Sequence, residues 1–193
     1  HLRTRRQRQM CIRDRCRANL ATVYTFMGDY DRAMHVLEQY LQDAHDETGL
    51  QKLLLLVTGQ PQKLLDLLDK TDDRDQLPWL DLADRSMAHW SLGNFEDSEM
   101  YYRKLEAMLQ EAKDAGAEWL RIANIEYAVA KAAAWRGEKE RAFELLLPLA
   151  GAPFNFPRME VSSPIWQNLW NDPRWLEYQA GQGEAPERGA ATV

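Results

Sequence analysis

The feature that most limits the fold is a glycine recurring in one kind of setting. Met27-Gly28-Asp29-Tyr30, Thr58-Gly59-Gln60-Pro61, Leu92-Gly93-Asn94-Phe95 and Arg136-Gly137-Glu138-Lys139 each interrupt a stretch of helix-forming residues. Glycine enters the left-handed backbone region without steric cost, as the end of one helix requires before the chain folds back into the next. The four glycines are 31, 34 and 44 residues apart. Ala, Leu, Glu, Gln, Arg and Met dominate between them, and these side chains lose little rotamer freedom in a helix. The pattern predicts an all-α chain of helical hairpins, each covering the apolar face of its neighbour.

The flanks of the glycines repeat as well. Small residues stand at matching offsets: Ala21 and Ala33, Ser86 and Ser98, Ala130 and Ala142. They let two helices approach closely, while Leu20, Tyr24 and Tyr30 are expected to fill the space between the first pair. Leu37, Tyr40 and Leu41 should face the next hairpin. The unit around Gly59 fits least, because Gly49 and Lys52 fall where its first helix should be firm. The 44-residue step implies longer helices, read here as Glu96 to Lys113 and Glu118 to Trp135. With a period near ~34 and these flanks, the chain resembles the tetratricopeptide repeat family. The resemblance implies an α-solenoid of about four hairpins over residues 17–150.

Beyond residue 150 the pattern changes. Ser163-Pro164 and Asp172-Pro173 each place a capping side chain before a proline at the first helical position, so each should start a short helix. One carries Trp166, Leu169 and Trp170, the other Trp175, Leu176 and Tyr178, with Gly181 expected to end it. The last hairpin of a solenoid needs a cap, and residues 151–181 are expected to supply it. Residues 163–175, Ser-Pro-Ile-Trp-Gln-Asn-Leu-Trp-Asn-Asp-Pro-Arg-Trp, also resemble the closing motif of tetratricopeptide arrays in bacterial signalling proteins. Those arrays follow nucleotide cyclase, serine/threonine kinase or winged-helix regulator domains. Residues 182–193 are rich in Gly, Ala, Glu and Pro and read as a disordered tail.

Charge narrows the partners. Seven of the 24 basic residues are arginines within residues 1–17, against one acid, Asp14, leaving 17 basic and 29 acidic residues elsewhere. A body with a balance of −12 repels phosphate backbones, so nucleic acid is not an expected partner of the folded part. Residues 1–16 form a basic head. Its stretch Gln9 to Arg15 resembles translated sequencing-adapter read-through, and the head is expected to be non-native, with the protein continuing upstream. Cys11 and Cys16 lie in that head without a second ligand pair for zinc. No apolar run approaches the ~20 residues of a membrane span.

No motif for catalysis, metal or cofactor assembles, and none is expected. The chain has no phosphate-binding glycine loop, nucleophile elbow or zinc helix motif. His35 and His45 are too far apart on one helix to share a metal, and His89 reads as a core histidine. Asp72, Asp73 and Asp75 read as a solvated loop. In the family resembled, the first helix of each hairpin lines a groove. Offsets from the turn glycine place Phe26, Leu53, Met87, Trp90, Tyr127, Lys131 and Trp135 there as candidate contacts for a protein or peptide. The clamp that holds a carboxy-terminal carboxylate in chaperone-binding members is missing, since its lysine position holds Ala18, Gly49, Ala83 and Tyr127. Three functions follow as expectations. The first is a non-catalytic interaction module of a bacterial regulator, with the cytoplasm as its favoured location. The second is a self-association module, a homodimer formed through Trp166, Trp170 and Trp175. The third is the non-catalytic end of a signalling enzyme whose catalytic domain lies upstream.

Overall fold

A computed structural model describes residues 19–43 apart from Phe26, and residues 49–70, 78–150 and 163–183. The basic head, the Asp72–Asp75 loop, residues 151–162 of the expected cap and residues 184–193 of the expected tail lie outside the described residues, whereas residues 182 and 183 are helical. All regular structure among the described residues is helical. The chain divides into two compact units, residues 1–60 and 61–193. The boundary falls beside Gly59, inside the hairpin whose sequence fits the repeat least.

The first unit comprises α1 (residues 19–25), α2 (Tyr30–Asp43) and α3 (Gly49–Val57). Ala21, Ala33, Leu37 and Leu54 are fully buried at its centre, with Tyr24, Tyr30, Leu41 and Leu50 packed around them. The two alanines meet as the repeat requires: a larger side chain at either would hold the helices apart. Burial also pushes the Tyr30 phenol up from its usual range. Leu20 corrects the expectation that it fills the hairpin. It is 43% exposed, on the flank of α1 turned away from this core.

The second unit comprises α4 (Pro61–Leu68), α5 (Pro78–Ser91), α6 (Phe95–Asp114), α7 (Trp119–Arg136) and α8 (Lys139–Leu146). Two 3-10 turns, Leu147–Leu149 and Pro164–Trp166, and a last helix, α9 (Pro173–Gly183), complete it. The long α6 and α7 account for the 44-residue step. Helix α7 packs against α5, α6, α8 and the second 3-10 turn. Its alanines make that possible, since Ala128, Ala130, Ala132, Ala133 and Ala134 are all fully buried and let neighbours approach from several sides.

The turns follow one chemistry. Gly93 has φ +77° and Gly137 has φ +83°, a region that L side chains rarely adopt. The Gly93 N–H donates to Trp90 O at 3.0 Å, and Asn94 N–H donates to His89 O at 2.9 Å, the Schellman arrangement that satisfies a helix's last carbonyls. Gly28, Gly59 and Gly137 repeat the same two bonds, and so does Gly116 between α6 and α7. Where the third hairpin has serines at the close approach, each hydroxyl is satisfied across the gap. Ser98 Oγ donates to Ser86 O at 2.8 Å and Ser86 Oγ to Ser98 O at 3.1 Å.

The carboxy-terminal segment closes this unit. Ser163 Oγ accepts from Ile165 N–H at the start of the 3-10 turn, and Asp172 Oδ1 accepts from Arg174 N–H at the start of α9. Ile165, Trp166, Leu169, Trp175 and Tyr178 are buried. Asn168 Nδ2 donates to Ala134 O at 2.9 Å and Trp135 O at 3.3 Å, supplying partners to carbonyls in the last turn of α7. Arg174 lies 4.3 Å over the Phe143 ring and bonds Glu140 on α8 through both terminal nitrogens. Two details differ from expectation. Trp170 is 44% exposed, because the turns after Trp166 aim Trp166 and Leu169 inward and leave Trp170 outside. Gly181 does not end α9, which runs to Gly183. A Cβ at Gly181 would lie 2.9 Å from Ala150 Cβ, so this glycine serves close packing and not a turn.

Candidate partner-binding surface

The expected groove residues separate into core and surface. Phe26 lies outside the described residues, and Leu53 is half-buried on α3 of the first unit. In the second unit Met87 is fully buried on α5, which packs against α4, α6 and α7. Tyr127 is also buried, its ring 5.6 Å from that of Trp166. These two are corrections: the offset rule puts them on the groove side of their helices, but neighbouring elements cover them there. Trp90, Lys131 and Trp135 remain half-buried, each with part of its side chain in solvent.

What stays open is a shelf built where the α5–α6 turn meets the end of α7. Phe95, first residue of α6, is 55% exposed and meets Trp90 edge-on at 4.7 Å between ring centres. Trp135 Nε1 donates to Ser91 Oγ at 2.9 Å, tying the α7 end to the α5 end. Arg136 lies beneath, with 7% of its side chain exposed. Its guanidinium is 5.2 Å from the Trp90 ring centre and 4.3 Å from that of Tyr102. It also pairs with Glu99 and, at 2.7 Å, with Glu138. Arg136 and Arg103 hold the Glu99 carboxyl below the usual carboxylate range, and burial pushes the Tyr102 phenol up. Stacked and paired at once, this cation fixes the plane of Trp90.

Sequence reasoning missed Phe95 and Arg136. Phe95 stands two residues after its turn glycine, as Tyr30 does in the first hairpin, a position expected to fill the space between helices. Nothing in a turn-flanking arginine marks it as the pillar under two rings. His89, expected in the core, is half-buried instead. Its ring stacks on Tyr101 at 5.4 Å, with Nδ1 3.8 Å from Asp97 Oδ2. Among the described residues no group of three or more His, Cys, Asp or Glu is placed to hold a metal. No described helix is long and apolar enough to cross a membrane. As for self-association, Trp166 and Trp175 face into the fold, which leaves Trp170 as the one accessible tryptophan of the three expected to form a dimer surface.

Fold and surface together define a class, the helical-hairpin repeat whose last unit is closed by a capping segment. Residues 14–42 match the family model of the tetratricopeptide repeat. The matched residues span the Gly28 turn and the helices on either side of it. No curated protein and no solved structure matches the chain.

Proposed function

We propose that the chain is a non-catalytic interaction module that binds a protein partner on the Trp90–Phe95–Trp135 shelf. Tetratricopeptide repeats generally mediate protein–protein interaction, which supplies the coarse reading. The observation that carries the finer one is the exposure of the shelf. Phe95 is 55% exposed and meets Trp90 edge-on, with the half-buried Trp135 tied to the end of the same helix α5. Rigid aromatic anchors set beside a buried core provide most of the energy in many interfaces. The closing motif at residues 163–175 supports a place at the end of a bacterial regulator.

Photo-crosslinking tests this. With p-benzoylphenylalanine in place of Phe95, extract of the source cells should yield a discrete adduct. The same group in place of Glu111, exposed further along α6, should yield none. Equal adducts at both positions, or none at Phe95, would remove the shelf from the account.

A further inference from the structure

We propose that the shelf takes a cationic segment, one that presents arginine or lysine beside an apolar side chain. This rests on the shelf being the partner surface, and it adds the chemistry of the occupant. Phe95 is followed at once by two exposed carboxylates, Glu96 and Asp97. The cation nearest the rings, Arg136, is buried and held by Glu99 and Glu138, so it is not free to attract an anion. Counting Arg103, which pairs with Glu99, and Lys131, the surroundings hold four carboxylates (Glu96, Asp97, Glu99 and Glu138) against three cations. Lys131 lies four residues before Trp135, with its ammonium 6.0 Å over the Tyr127 ring. Arg174 chiefly, and Lys139 to a lesser degree, hold the Asp172 carboxyl in the cap below the usual range. An open ring face is itself negative, and beside carboxylates it favours a guanidinium or ammonium group. An acidic segment would meet uncompensated like charge at the same place.

The test uses the full chain and two fluorescein-labelled probes, a short peptide of alternating arginine and leucine and its counterpart of glutamate and leucine. Fluorescence anisotropy should show binding of the arginine probe alone. Glu96→Gln with Asp97→Asn should weaken it about tenfold, as loss of two rim charges does. Glu111→Gln with Asp114→Asn removes the same net charge elsewhere on α6 and should change affinity less than about twofold. Far-UV circular dichroism checks that both variants keep their helices. Equal losses in the two variants would overturn the proposal, as would failure of the arginine probe to bind or equal binding of both probes. Phe95→Ala separates this failure from that of the shelf itself. If it weakens both probes alike, the shelf stands and the charge preference falls. If it weakens neither, both fall.

Discussion

Replacing Trp166 with alanine should destabilise the unit formed by residues 61–193 by about 3–5 kcal/mol, the usual cost of emptying a large buried site. The side chain is 1% exposed and has no route to relax into solvent. Its ring lies 5.6 Å from Tyr127 and 5.8 Å from Trp175, which in turn stacks on Tyr178 at 5.4 Å. Removing Trp166 leaves Tyr127 and Trp175 facing a void. It also loosens the turn that brings Asn168 to the end of α7, so Trp135 O loses this donor while Ala134 O keeps only the Gly137 N–H. A repeat array is stabilised through neighbouring interfaces, so the damage should enter at the cap and spread into α7 and α8. Denaturant melts of the single variant measure it. A loss below about 1 kcal/mol would mean that the segment does not close the array.

Met87→Ala should cost about 2–5 kcal/mol, well above what a groove residue would show. Met87 is fully buried, although its offset from Gly93 marks it as a ligand contact in a family groove. Its thioether fills space on a helix pressed by α4, α6 and α7. A near-neutral melt for this variant would return Met87 to the surface and undo the separation of core from shelf.

The hairpins were legible because their causes are local. A left-handed turn calls for glycine within a few residues, and a close helix crossing calls for alanine or serine at fixed offsets. Gly28, Gly93 and Gly137 and the pairs Ala21–Ala33, Ser86–Ser98 and Ala130–Ala142 all carry these signals. The surface was only half legible. An offset on a helix tells which way a side chain points, and what lies there depends on distant sequence. Tyr127 points the way the rule says, and Trp166, far along the chain, covers it. Trp170 and Leu169 are neighbours with opposite fates, decided by a turn whose register no periodicity reveals. Gly181 shows the same limit from the other side. It resembles a helix end in sequence, yet its role is set by Ala150 in space. Phe95 is equivalent to Tyr30 by position and differs from it only in what the folded chain leaves uncovered.

The central claim is that Trp90 and Trp135 serve recognition more than stability, and the double replacement of both by alanine tests it most directly. Both rings are half-buried, so melting by circular dichroism should show a loss smaller than the about 3–5 kcal/mol of a fully covered ring, with helix content unchanged. Binding to the partner recovered by crosslinking at Phe95 should fall at least about thirtyfold, the loss of one hot-spot anchor. A cooperative collapse of the unit, or unchanged affinity in an intact fold, would contradict it.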